Sequence, residues 1–194
     1  SGTNIDTTVK DSVIHDIISA SNSGSGVYGI AFAANGGITT NFRIERTTVS
    51  NVEATTANAY GIGYIAGFFG SAPSNNATGS IENLTISNVK SAFTGIAGGV
   101  VSNSVAGTGT ARTVIDLKNS TISEVSGGMF TTLEGAGLLL GGGTYDNTGV
   151  ADATLNATNV LMTDNKTTVS GPKNCGAFDT SFFVGGSGGS ITNT

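Results

Sequence analysis

Residues 81–89 read Ile-Glu-Asn-Leu-Thr-Ile-Ser-Asn-Val, an alternation of apolar and polar positions that shifts phase near Asn83 and stops at Asn88. Period-two alternation predicts half-buried strands, and an Asn at the phase change predicts a bend, because Asn tolerates the left-handed backbone conformation. The pattern recurs. Residues 44–52 end Thr48-Val49-Ser50-Asn51-Val52, residues 117–125 end Thr121-Ile122-Ser123-Glu124-Val125, and weaker copies occupy residues 9–17 and 157–165. The central apolar residues Ile14, Val49, Ile86, Ile122 and Met162 stand 35, 37, 36 and 40 positions apart. Such a period is the signature of stacked repeats.

Aligning the copies yields two columns. The bend column is Asp11, Arg46, Asn83, Asn119 and Asn159; the turn column is Asp16, Asn51, Asn88, Glu124 and Asp164. A second strand follows each copy, at Val27-Tyr28-Gly29-Ile30, Ala59-Tyr60-Gly61-Ile62, Phe93-Thr94-Gly95-Ile96, Gly135-Ala136-Gly137-Leu138 and, degenerately, Cys175-Gly176-Ala177-Phe178. Loops of variable length rich in Ser, Asn, Ala and Gly lie between. Strands rich in Thr, Val and Ile that stack repeat on repeat predict an all-β fold, a right-handed parallel β-helix of about five coils of 35–40 residues, filling residues 1–194 as a single domain. One segment also fits a different element: Ile14, Ile17 and Ile18 suit a short helix over residues 11–20, which would cap the first coil.

Composition narrows the function. Gly supplies 30 of 194 residues, only 11% of the chain is charged, and 38% is hydrophobic, which argues for a packed repeat and against disorder. A net charge of −5 opposes nucleic-acid binding. The apolar runs are broken by Gly and too short for a membrane-spanning helix. A single Cys and no Trp exclude an internal disulfide and a thiolate metal cluster. No cofactor motif occurs, and no metal site is expected; Asp146 with Asp152 is the one candidate pair for calcium, without an Asp-x-Asp loop around it.

Repeats of the form Ile-x-Asn-x-Thr-Ile-Ser-Asn-Val followed by a Gly-Ile strand resemble the right-handed parallel β-helices of bacterial surface and secreted proteins, such as autotransporter passengers and polymorphic outer-membrane-protein-type adhesins. Gly127-Gly128-Met129-Phe130 and Cys175-Gly176-Ala177-Phe178 are relatives of the Gly-Gly-Ala-aliphatic tetrapeptide of the latter, whereas Phe-x-x-Asn is absent. The resemblance implies surface display or secretion, and binding without catalysis to a host or neighbouring-cell protein or glycan. It also implies flanking domains, the chain being a piece of a longer surface protein.

Three arrays could carry such binding. Thr48, Thr85 and Thr121, each followed by Ser two positions on, form a hydroxyl ladder, interrupted at its ends by Val13 and Leu161. Regular hydroxyl arrays on flat solenoids bind ice, so an ice-binding solenoid is one alternative. Tyr28, Tyr60 and Tyr64 are candidates for stacking on sugars: if Ile30, Ile62 and Ile96 face inward so do Tyr28 and Tyr60, leaving Gly29, Ala31, Gly61, Gly63, Gly95 and Ala97 as a smooth outer face under a cover; in the opposite phase the tyrosines and Phe32 form an exposed strip. Acids Asp11, Asp16 and Glu45 are the residues a polysaccharide-binding or polysaccharide-degrading β-helix, the other alternative, would use. The alignment instead places Lys10 beside Glu45, Asp11 beside Arg46 and Glu82 beside Lys118, as structural pairs. His15, the only His, falls in the column of Ser50, Ser87, Ser123 and Thr163 without a nucleophile elbow, so no catalytic residue is assigned. Asn76, Asn83, Asn119, Asn156 and Asn165 head Asn-x-Ser/Thr sequences, as a composition rich in Asn and Thr produces.

Overall fold

The computed structural model describes residues 4–20, 26–34, 39–55, 58–66, 74–91, 97–106, 110–127, 135–144, 150–164, 166–167, 175–182 and 189–193. All regular structure among them is β. The strands are β1 (Asn4–Lys10), β2 (Val13–Ser19), β3 (Val27–Ala34), β4 (Thr39–Glu45), β5 (Thr48–Ala54), β6 (Ala59–Ala66), β7 (Ser74–Glu82), β8 (Thr85–Ser91), β9 (Ala97–Ala106), β10 (Thr110–Gly127), β11 (Gly135–Thr144), β12 (Val150–Thr163), β13 (Lys166–Thr167), β14 (Cys175–Phe182) and β15 (Gly189–Asn193). The alternative of a helix over residues 11–20 is overturned: β2 runs through it, because Ile14 and Ile17 pair in register with Val49 and Val52 of β5. A helix would have left those backbone groups and the edge of β5 unpaired.

All described strand pairs are parallel, and each joins a strand to its counterpart one repeat later. One sheet of 10 strands runs β1-β4-β7-β10-β8-β5-β2 with β12, β13 and β15 attached; a second of 5 strands runs β14-β11-β9-β6-β3. The long β10 and β12 carry both halves of a repeat, which is why the two arms of the larger sheet meet there.

The registers align the repeats as the sequence alignment does. Val9, Ile44, Ile81, Leu117 and Ala157 pair in succession, as do Ile14, Val49, Ile86, Ile122 and Met162. Ile44, Ile81, Leu117, Val49, Ile86 and Ile122 are fully buried, and Ile62 and Val100 of the second sheet join them. Phe32 of β3 stacks on Phe42 of β4 at 3.7 Å between ring centroids, tying the two sheets. Period-two alternation in each strand therefore feeds one continuous apolar interior.

Among the described residues, ten non-glycine residues have positive φ: Asp11, Asp16, Arg46, Asn51, Asn83, Asn88, Asn119, Glu124, Asn159 and Asp164, at +45° to +58°. They are the two corner columns. At the first corner the backbone bonds cross the bend without a gap: Arg46 N–H donates to Glu82 O at 3.1 Å and Thr85 N–H to Thr47 O at 3.0 Å. The hydroxyls of Ser12, Thr47 and Ser120 each donate to the carbonyl two residues back, across the left-handed residue.

Candidate functional site

The best-defined surface array lies on β2, β5, β8 and the C-terminal halves of β10 and β12. Because Val49, Ile86 and Ile122 point into the core, the positions on either side of them face away from it. Val13, Thr48, Thr85, Thr121 and Leu161 pair in succession there, and so do His15, Ser50, Ser87, Ser123 and Thr163. All three expected ladder threonines are thus brought together, at successive strands about 4.8 Å apart. Thr85 is exposed, Thr48 and Thr121 are half-buried, and the serines beside them are half-buried. The rims are apolar, Val13 at 70% exposure and Leu161 at 58%. A sheet face made of hydroxyls and methyls, framed by two exposed aliphatic side chains, offers both hydrogen bonds and apolar contact to a flat partner.

For the tyrosines the structure takes the inward of the two phases the sequence allows, at Tyr60 fully and at Tyr28 in part. Tyr28 and Tyr60 pair in register with ring centroids 5.0 Å apart, yet Tyr60 is 8% exposed and Tyr28 is half-buried. Gly63 has the space for the Tyr28 ring and Gly26 for the Tyr60 ring, since a Cβ on either would strike the aromatic carbons. Burial pushes the Tyr60 hydroxyl far above its usual range, the charge of Tyr28 adding to it and a hydrogen bond with Asn58 opposing it. Burial likewise raises Tyr28. Phe32 is buried against Phe42, so no exposed aromatic strip exists among these residues. Tyr64 pairs with Phe32 along the backbone; its side chain lies outside the described set, as do Phe93, Gly95, Ile96, Asp146 and Asn165.

The smooth outer glycine face is also corrected. Ile30 and Ile62 are buried as expected, but a Cβ on Gly29 would strike Val49 and one on Gly61 would come within 3.0 Å of Ile86, so both glycines face the core. The same Cβ on Gly61 would stand 2.6 Å from Gly99 O in the next repeat. The ladder pairs Tyr28 with Tyr60 and Ile30 with Ile62 and leaves the glycines between them out of it, a break in pleat that turns the chain's phase. Gly63 and Ala97 are buried, and among the glycine-face residues described Ala31 alone is exposed.

The acids are engaged by neighbours. Arg46 grips Asp11 with two hydrogen bonds, 2.6 Å from Nε and 2.9 Å from Nη2. Glu45, with its side chain 12% exposed, lies 3.8 Å from Lys10 Nζ and 3.5 Å from Arg46 Nη1 and pairs with Arg43. Asp16 accepts from Asn51 Nδ2 at 2.8 Å and lies 2.8 Å from His15 Nδ1. Hydrogen bonds from Arg46 hold the Asp11 carboxyl below the usual carboxylate range, and those from Asn51 and His15 do the same for Asp16; the slight desolvation of each opposes the shift. Lys118 stands in register with Glu82, but Glu82 Oε1 takes its hydrogen bond from Asn119 Nδ2 at 3.5 Å.

Sequence reasoning missed the direction of the side-chain ladders. Asn88 donates to Asn51 and Asn51 to Asp16; Asn159 donates to Asn119 and Asn119 to Glu82; Thr78 donates to Asn41 and Asn41 to Asp6; Asn156 donates to Asp116. Every donor reaches back to the preceding repeat, and every ladder ends on a carboxylate, which accepts and has nothing to donate. For two of the ladders the signal was the acid at the head of the column, Asp6 before Asn41 and Asp16 before Asn51.

No group of three or more His, Cys, Asp or Glu among the described residues is placed to hold a metal ion. No helix of the described residues is long and apolar enough to cross a membrane. Compared with known proteins, the chain matches no family model, no curated protein and no solved structure.

Proposed function

We propose that the chain is a right-handed parallel β-helix of about five coils, roughly 24 Å long at the usual inter-strand spacing, serving as a non-catalytic, adhesin-type binding domain of a secreted or bacterial cell-surface protein. Its partner is a protein or glycan on a host or neighbouring cell. The observation that carries the reading is the register that stacks Thr48, Thr85 and Thr121, with Ser50, Ser87 and Ser123, on one outward sheet face between exposed Val13 and Leu161. A flat array built at fixed spacing suits repeated weak contacts to an extended surface better than enclosure of a small molecule. The engagement of Asp11, Asp16 and Glu45 by Arg46, Lys10, Arg43, Asn51 and His15 supports the non-catalytic side of the reading.

The test is retention of the purified chain on a panel of immobilised polysaccharides and host glycoproteins, with release of reducing ends measured in parallel. Retention without cleavage, lost in Thr85→Lys, supports the proposal. Release of reducing ends overturns it in favour of a polysaccharide-degrading protein and makes Asp11, Asp16 and Glu45 the residues to replace.

A second reading rests on the same three Thr-x-Ser ranks, which present hydroxyls at a regular spacing: an ice-binding solenoid. Thermal hysteresis decides it, since a solution of the chain that shows none is not ice-binding.

A further inference from the structure

Two of the four tyrosines stand side by side in the second sheet, away from the hydroxyl face. Tyr28 of β3 and Tyr60 of β6 are in-register partners 32 positions apart, with ring centroids 5.0 Å apart and planes tilted by 38°. Glycines set how the rings present their edges. A Cβ on Gly63 would strike Tyr28 Cε1, so that edge of the Tyr28 ring lies on the backbone of β6. The other edge meets Tyr60: a Cβ on Gly26 would stand 2.7 Å from Tyr60 Cε2 and 3.2 Å from Tyr28 Cε2. Both Cε2 carbons therefore border one small space, and a glycine keeps it clear of a side chain. In tyrosine the Cε carbons are ortho to the hydroxyl, where a phenoxyl radical carries unpaired spin and where two phenols couple.

We propose that Tyr28 and Tyr60 form an oxidative cross-linking site, at which a one-electron oxidant, a peroxidase supplied with hydrogen peroxide, joins the two rings by a Cε2–Cε2 bond. Two phenols in solution must find each other by diffusion, whereas here the fold brings the two ortho carbons together. The register holds the two backbones one strand spacing apart, about 4.8 Å. Rotation of the side chains alone then takes the rings from their tilted stack to edge-to-edge contact, with the strands left in place.

Burial raises both phenols above their usual range, so each is protonated at neutral pH and must give up a proton along with its electron. Tyr28, the less buried of the two, does so first, its phenolic proton passing to water. Its Cε2 then adds to Cε2 of Tyr60. The adduct gives up a second electron, and the hydrogen on Tyr60 Cε2 leaves as a proton, while the hydrogen on Tyr28 Cε2 moves through water to its own oxygen. Two electrons and two protons leave in all, and hydrogen peroxide takes them to become two waters. The product keeps both hydroxyls and ties one repeat to the next. It is a constraint of the kind a disulfide supplies, in a chain whose single Cys cannot form an internal one.

The experiment treats the intact chain, dilute and at neutral pH, with a haem peroxidase and hydrogen peroxide, and maps the products by tryptic digestion and tandem mass spectrometry. Trypsin cuts at Arg43 and Arg46 between the two tyrosines, so the link appears as two joined peptides lighter by two hydrogens than their sum. The expected result is a Tyr28–Tyr60 link within one chain, in a yield at least about tenfold above that of the same chain in urea, where the four tyrosines couple without preference. Tyr28→Phe and Tyr60→Phe, which keep the ring and drop the hydroxyl, each abolish that link. Gly26→Ala, which sets a methyl between the two Cε2 carbons, cuts its yield several-fold; if that variant does not fold, the two Phe variants and the urea comparison decide. A folded chain that couples at this pair no better than the urea-unfolded one overturns the proposal, as does coupling confined to links between chains.

Discussion

The corner residues show how a single backbone angle can organise a repeat. L-residues avoid the left-handed region by about 1–2 kcal/mol per residue, and Asn or Asp reaches it at least cost among those with a side chain. Eight of the ten corner positions are Asn or Asp with φ between +49° and +58°. Asn51 is the most engaged, donating to Asp16 and accepting from Asn88, both at 2.8 Å. Replacing it by Gly removes the amide bonds but relieves the backbone, whereas Val removes the bonds and imposes a β-branched side chain at φ 55°. Urea unfolding of the two variants should place Asn51→Val below Asn51→Gly by about 1–2 kcal/mol; equal stability would show that the corner imposes no left-handed demand.

The same scale explains what could and could not be read in advance. Eight corner residues were legible because a phase change at Asn or Asp has few structural solutions, and Arg46 and Glu124 because they align with those in the repeat. The facing of Gly29 and Gly61 was not, because counting alternate positions assumes an unbroken pleat, and the glycines themselves break it. Their requirement is space. A Cβ on Gly61 would lie 2.6 Å from Gly99 O and 3.0 Å from Ile86, so Gly61→Ala should destabilise by about 1–3 kcal/mol as an overpacked site does. Ala31, exposed on the same strand system, should accept Ser with little change in the same unfolding experiment.

At the scale of elements, each strand is marginal by itself and depends on the strands one repeat before and after it. Ile86 of β8 sits between Val49 of β5 and Ile122 of β10 with all three fully buried, and Gly61 of the second sheet backs onto it. Truncation to Ala should cost about 2–5 kcal/mol, the range for a large aliphatic core residue, measured by the shift in denaturation midpoint. The cost should fall to less than half for Met162→Ala in β12, whose side chain is only partly buried at the rim of the core. Equal costs at the two positions would mean that the interior is not one continuous stack. The strand pattern itself was legible from alternation of Thr, Ile and Ser; β2 was ambiguous because Ile14, Ile17 and Ile18 satisfy both periods, and pairing with β5 resolved it.

Across the whole molecule, a repeating offset between paired residues, 32 to 40 positions, carries both the architecture and the proposed binding face. Side-chain ladders, core columns and the hydroxyl array all follow from that one register, so an error of a single residue would move the threonines to the interior and the isoleucines to solvent. Direct measurement is possible at the two exposed rims. Spin labels at Val13→Cys and Leu161→Cys, with Cys175→Ser to remove the native thiol, lie at the ends of a column of successive strands. Four inter-strand steps place the two backbones roughly 19 Å apart. Electron–electron dipolar spectroscopy should return one narrow distance distribution near that value, broadened only by the labels; a distribution centred well beyond it, or spread over several populations, would contradict the stacking of the repeats and with it the hydroxyl face.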